Sequence, residues 1–527
     1  MSARHLTRLA LSAAVATLAL AIPVTHAQAV LSDYETADKA AQARTAALWR
    51  LAFRPTRQVL EQTVASLRGG PADKGETKAS VDALIAQAAP QAPEEARRTL
   101  WQAASLLLGK PWSADEALLG SLSLRPDHPV ATGAGTGLRF ELAYPVPDSA
   151  GASYTLDLLA AQPTSSATPK RGAVLRRIAA GRLEQGKGAA VTPDLGGVAD
   201  GFYIVLATVT TPSGASGEIA SALYLVSDLA GRQAALQARL DRISGHDAAR
   251  QTAAYPFALA RAMNEGKREV IAYDFPAAIR RSQEIATALE QGRDPVEHAR
   301  GLQDRAYRFP ETGELVPYQL YVPSGWTPDR RWPLVVALHG ANLDERNMLG
   351  RADGQMQKLA EAQGVIVVAP LGYRINSAYG SQHMGSLLGA DPARLRRSGE
   401  DVLQVADLVA REYNADPSRT YLTGNSMGGG GTWWIGGHHP ERWAAIAPAA
   451  FGGVTPDDVP GLSRVPILAV VGDHDELGMA GRVRAAVVTL KAGGVQADYL
   501  EIPGGTHASG FDIALPRIFA FFGSHHK

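Results

Sequence analysis

The chain has 527 residues, 46% of them hydrophobic, which is ample for packed cores and allows three or four domains. Lys+Arg and Asp+Glu each number 52, so no overall basic field points to nucleic acid and no acidic one opposes it. With no cysteine, disulfides, thiolate metal sites and a cysteine nucleophile are excluded; no His/carboxylate cluster shows metal-ligand spacing, and neither a metal nor a cofactor is expected.

In chain order, Arg4 and Arg8 precede an apolar stretch from Leu9 to Ile22, followed by Pro23 and small residues at Ala27-Gln28-Ala29. Residues 1–29 therefore read as a cleaved secretory signal, too short and too early for a spanning helix, and predict a secreted or periplasmic protein. No cysteine follows the apolar stretch, which excludes a lipoprotein anchor, and no second span of ~20 apolar residues appears.

Residues 30–130 are Ala-, Arg- and Gln-rich with helical spacings such as Leu60, Val64, Leu67 and Val81, Leu84, Ile85, and Trp101 and Leu106 to Leu108 read as core. Over 131–228 the period shortens to β-runs, Leu138 to Tyr144, Tyr154 to Leu159, Ala173 to Ile178, Phe202 to Thr210 and Ile219 to Val226, parted by turn-rich segments such as Pro212-Ser213-Gly214. These predict a small β-sandwich of immunoglobulin-like type. Helical spacing returns over 229–300, as in Leu236, Leu240, Ile243, and predicts a helical connector to a last region at 301–527.

In that last region Trp332 to Leu338 runs as a strand into His339-Gly340-Ala341-Asn342. A strand ending in His-Gly upstream of a nucleophile is the usual site of one oxyanion donor, which is assigned to the Ala341 N–H with Gly340 as alternate; His339 shapes the loop. The strand Val365 to Pro370 is followed by a loop carrying Tyr373, Arg374, Tyr379, His383 and Met384, at the strand end where open α/β sheets bind ligands. Glu400, Asp401 and Asp407 read as residues that cap and solvate the next helix.

Tyr421-Leu422-Thr423 is a short β-run, Gly424-Asn425-Ser426-Met427-Gly428 a G-x-S-x-G pentad, and Thr432-Trp433-Trp434-Ile435 continues as a helix. Strand, turn and helix together make a nucleophile elbow presenting Ser426, with the Met427 N–H as the second oxyanion donor. Trp433 and Tyr373 are candidate substrate contacts. Pro466 to Val471 predicts a buried strand that ends in Gly472-Asp473-His474-Asp475-Glu476-Leu477, and Tyr499 to Ile502 a last strand before Pro503-Gly504-Gly505-Thr506-His507. A serine hydroxyl needs a base, and the imidazole needs a carboxylate to fix its tautomer. Ser426, Asp475 and His507 fill these roles in the order Ser, acid, His; Asp473 is the alternative acid, and His474 a solvent-facing neighbour.

With those motifs in place, the stretch from Pro317 to Phe522 resembles the α/β-hydrolase superfamily, and within it the polyhydroxybutyrate-depolymerase/feruloyl-esterase/predicted-peptidase branch. The resemblance rests on Tyr318-Gln319-Leu320-Tyr321-Val322-Pro323, Pro333 to Gly340, Glu400-Asp401-Val402, Asp416 to Gly429 and His439 to Pro448. It implies an α/β fold and serine hydrolysis, of an ester in a small molecule or one derived from a polymer. The absence of cysteine departs from secreted polyester depolymerases and counts against a polymer substrate. A prolyl-oligopeptidase-like peptidase is one alternative; a catalytically relic protein that binds cell wall or glycan through the sandwich is another.

Overall fold

The computed structural model describes residues 45–53, 55–133, 136–146, 151–162, 169–184, 188–270 and 273–527. The predicted signal segment lies outside them. Among the described residues, no helix is long and apolar enough to cross a membrane.

Helices Arg57–Leu67, Gly75–Ala88, Pro93–Leu107 and Ala114–Ser121 come first. In the third, Pro93 sits at the helix start and Glu94 and Glu95 occupy the first turn, where the helix dipole favours them. Its buried Ala96, Leu100, Ala103 and Leu107 recur every three or four residues, so one face meets Leu60 and Ala88 through the first two and Val64 and Val81 through the last two.

The chain then forms β1 (Leu122–Pro126), β2 (Val130–Ala131), β3 (Leu138–Leu142), β4 (Ser153–Ala160), β5 (Val174–Arg182), β6 (Ala190–Val191), β7 (Gly201–Thr210) and β8 (Ser216–Leu225). They make two sheets, in the orders β1-β3-β6 and β2-β8-β7-β4-β5. Alternate residues point to one shared core, in which Leu124 and Phe140 of the smaller sheet meet Leu156, Leu158, Val205 and Leu223 of the larger. Three helices follow, Leu229–Leu240, Asp247–Asn264 and Phe275–Glu290. Their core takes in Val130, Phe202 and Tyr224 from the strands before them and Ala306 and Leu315 from the strands after them.

The last region is an eight-stranded sheet: β9 (Gly301–Arg308), β10 (Leu315–Val322), β11 (Trp332–Leu338), β12 (Ile366–Pro370), β13 (Ala415–Asn425), β14 (Ala445–Ala449), β15 (Ile467–Gly472) and β16 (Ala497–Ile502). Its order is β16-β15-β14-β13-β11-β12-β10-β9; β11 to β16 run parallel and β9 and β10 antiparallel. Buried clusters cover both faces, which is why the parallel strands are near-continuous apolar runs. The chain leaves β11 to build β12 on one side and β13 on the other. In open α/β sheets such a reversal marks the crevice where ligands bind; here it falls at the carboxyl ends of β11 and β13, directly before His339 and Ser426.

Candidate active site

β13 ends at Asn425 and the helix Met427–His438 begins two residues later, leaving Ser426 alone in the turn with φ 59° and ψ −116°. A positive φ is costly for a residue with a Cβ, and such strain persists only where the surroundings over-determine it. Here the Ser426 N–H donates to the Ala449 carbonyl at 2.9 Å, and its carbonyl accepts from the Gly430 N–H at 3.0 Å. The turn also closes against β11: a Cβ on Gly428 would lie 2.1 Å from the Leu338 carbonyl oxygen, so only glycine fits.

Asp475 and His507 come from the loops after β15 and β16. The two loops touch backbone to backbone, since a Cβ on Gly472 would meet the Gly505 carbonyl oxygen at 2.0 Å. The Asp475 side chain is fully buried and its Oδ2 lies 2.8 Å from His507 Nδ1. Its Oδ1 accepts from the Leu477 N–H at 2.9 Å and the Met479 N–H at 3.4 Å, which locks the carboxylate's orientation. Asp473 and His474 are exposed. On the other side of the ring, His507 Nε2 is buried and forms no hydrogen bond among the described residues. Glu476, which the motif reading passed over, accepts the His507 backbone N–H at 2.9 Å; only its position beside the acid hinted at it.

The loop after β11 lies against the turn at Ser426, for a Cβ on Gly340 would come 3.6 Å from Ser426 Cβ. Met427, as the first helical residue, has an N–H that no intrahelical carbonyl takes, and the Ala341 N–H finds no acceptor among the described residues. His339 is fully buried, with Nδ1 2.9 Å from the Gly340 carbonyl oxygen and Nε2 2.8 Å from that of Leu371. Burial pushes its pKa below the ordinary histidine value. Because a trans peptide points its C=O and N–H oppositely, a ring held at the Gly340 carbonyl turns the Ala341 N–H away from His339. The Tyr379 hydroxyl accepts the His339 backbone N–H at 3.1 Å, and Asn376 Oδ1 accepts that of Asn342 at 2.8 Å.

The reading of Asp401 as a solvated helix residue is corrected. Asp401 is fully buried: Oδ2 accepts from the Gly372 and Tyr373 N–H groups at 2.7 and 2.9 Å, and Oδ1 from the Tyr307 hydroxyl at 2.6 Å. Burial raises its pKa to about 6. Asp401 thus anchors the loop whose Leu371 carbonyl meets His339. Glu400 and Asp407 do stay at the surface, paired with Arg396 and Arg442.

Tyr373 is buried, packed 5.1 Å from the Phe309 ring and 4.1 Å below the Arg374 guanidinium, with its hydroxyl 3.5 Å from Glu314. Trp433 is also buried and donates from Nε1 to the Phe451 carbonyl at 2.8 Å. Trp434 is half-buried and stacks on His438 at 4.3 Å. Far from these residues in sequence, His246, Asp294 and Glu297 bring ligand-type atoms within 4.8 Å, a grouping that spacing could not reveal. There Asp294 is already engaged, by His246 Nδ1 and the Val296 and Glu297 N–H groups.

Residues 310–522 match the Esterase family model. That match takes in β10 to β16 together with Ser426, Asp475 and His507. A bifunctional acetylxylan esterase/xylanase from Neocallimastix patriciarum is 30% identical over 162 residues, 30% of this chain and 21% of that protein. The chain thus spans about a fifth of that relative's length. Among solved structures, a thermostable esterase overlaps 77% of this chain and 100% of its own at 17% identity and a TM-score of 0.36. An S-formylglutathione hydrolase from Staphylococcus aureus overlaps 42% of this chain and 98% of its own, at 17% identity and a TM-score of 0.34.

Proposed function

We propose that the protein is a serine esterase working through an acyl-enzyme. The observation that carries this reading is the buried Asp475–His507 pair, with Nε2 left without a partner among the described residues, beside a serine held at positive φ. Ser426 Oγ attacks the ester carbonyl as His507 Nε2 takes its proton, and the Met427 and Ala341 N–H groups receive the oxyanion. Collapse expels the alcohol, which takes the proton from His507; the same ring then activates water against the acyl-enzyme. The two-sheet module is read as immunoglobulin-like, supported by its strand order: the parallel β2–β8 edge and the antiparallel β8-β7-β4-β5 run face a separate β1-β3-β6 sheet.

An ester is favoured over a peptide. An amide nitrogen must be protonated as it leaves, and the described residues before the hydrolase show no ~40-residue blade repeat of the kind a propeller-gated peptidase carries. On p-nitrophenyl acetate or butyrate and on at least one hydroxycinnamate ester, kcat/KM is expected to be measurable. Peptide p-nitroanilides should be at least about a hundredfold slower, ~3 kcal/mol in transition-state terms. Comparable rates on a Pro- or Ala-p-nitroanilide would hand the site to the peptidase alternative.

We also propose export, on the strength of the basic-then-apolar segment ending at Ala29. Expressed in a Gram-negative host, the mature chain is expected in the periplasm with its amino terminus near Gln28 or Val30. A full-length amino terminus in the cytoplasm refutes this.

A further inference from the structure

Away from the crevice, a cavity of about 440 Å³ lies between the helices Leu229–Leu240 and Asp247–Asn264 and the hairpin that joins β9 to β10. Its size falls within the range of small-molecule sites. Space is left there because Ala254, Ala258 and Ala262 follow one another at four-residue steps on the same helix face. Buried Leu236, Phe257 and Leu315 supply an apolar wall.

The polar wall is cationic. Arg261, Lys267, Arg268 and Arg308 line the cavity, against the carboxylates of Glu265 and Glu314. Both carboxylates are already paired, Glu265 with Lys267 and Glu314 with Arg374, each at 2.7 Å. Arg268 is the unusual member. It is only 7% exposed, and its Nη2 donates to the Leu315 carbonyl at 3.0 Å, with Glu314 at 3.5 Å. Its Nη1 is buried and forms no hydrogen bond among the described residues. An arginine keeps its charge in a protein, and a buried donor left without an acceptor is destabilising, the more so when charged. The group that answers a guanidinium with spare N–H donors is a planar oxyanion, bound at the fork.

We propose that this cavity binds a small organic carboxylate, with its carboxyl on Arg268 and its apolar body against Phe257, Leu236 and Leu315. Inorganic phosphate would meet the charge and waste the apolar wall; a neutral aromatic would do the reverse. The site involves none of Ser426, Asp475 and His507, so it stands or falls separately from the esterase reading.

Calorimetric titration of the full chain with benzoate tests it, alongside benzyl alcohol and phosphate. Saturable binding of one benzoate is expected, at least tenfold tighter than either comparison ligand. Arg268→Gln should weaken benzoate binding at least tenfold. Because that change also loosens the link to Leu315, Ala258→Leu is the second variant: it keeps the guanidinium, fills the cavity and should weaken benzoate to the same degree. Absence of saturable benzoate binding overturns the proposal, as does phosphate or benzyl alcohol binding equally well. Affinity unchanged in either folded variant overturns it too, since benzoate would then be held elsewhere, as in the catalytic crevice.

Discussion

Ser426→Ala should abolish fluorophosphonate labelling of the protein and lower kcat on p-nitrophenyl esters by about four to six orders of magnitude. Ser426 sits alone between β13 and its helix, and the backbone bonds to Ala449 and Gly430 hold the turn whatever the side chain carries. Alanine keeps the Cβ and the strained φ and removes only Oγ, so the fold and the Met427 and Ala341 N–H groups persist. A residual rate above that of water is therefore expected, since oxyanion donors retain part of the catalysis after a triad member is lost. Labelling with ordinary turnover in a folded Ser426→Ala protein would move the nucleophile elsewhere.

Asp475→Asn should cost about four orders of magnitude in kcat, whereas Asp473→Asn should stay within about tenfold of the parent. The two residues are neighbours but one, and burial separates them: Asp475 has no exposed side-chain surface, while Asp473 faces water. Asparagine at 475 can still accept from the Leu477 N–H, so the loop should hold its shape. Its amide, however, donates toward Nδ1 and favours the tautomer with hydrogen on Nε2, which cannot take a proton from serine. Thermal melts of both variants alongside their kcat/KM values separate lost catalysis from lost fold. The reverse ranking would give the acid role to Asp473.

Most of the eight-stranded sheet could be read in the sequence because strands buried on both faces are short unbroken apolar runs, as Trp332 to Leu338 and Pro466 to Val471 are. Strand β9 escaped that reading. Gly-Leu-Gln-Asp-Arg-Ala-Tyr-Arg is an edge strand with Leu302 outside and Arg305 inside, so its polarity inverts the usual pattern. Buried Arg305 is held by Glu412, 107 residues away, at 2.8 Å, a pairing no local window contains. The two-residue β2 and β6 escaped for want of length. In the site, the residues with motif chemistry were legible, and those that hold them were not. Asp401 looks like any acid on an amphipathic helix until β12's loop is folded onto it, and Glu476 acts on a backbone group 31 residues away. Support of this kind is spent on main-chain N–H groups, and main chain carries no side-chain signature.

The helices between the two-sheet module and the eight-stranded sheet bear on where this polypeptide can be divided. Their apolar core holds Tyr224 on one side and Ala306 and Leu315 on the other. Thr252 and Gln251 of the middle helix bond to the backbone of Ala306 and Arg308 on β9. A cut near residue 300 follows the change of architecture and yet runs through one of its interiors. A fragment beginning at Gly301 would turn Ala306 and Leu315 to water and leave the outermost strand of the sheet uncovered, a surface on which sheets pair with stray chains. Autonomy begins earlier: a self-sufficient unit has to start at or before Leu229, so that the edge keeps its cover.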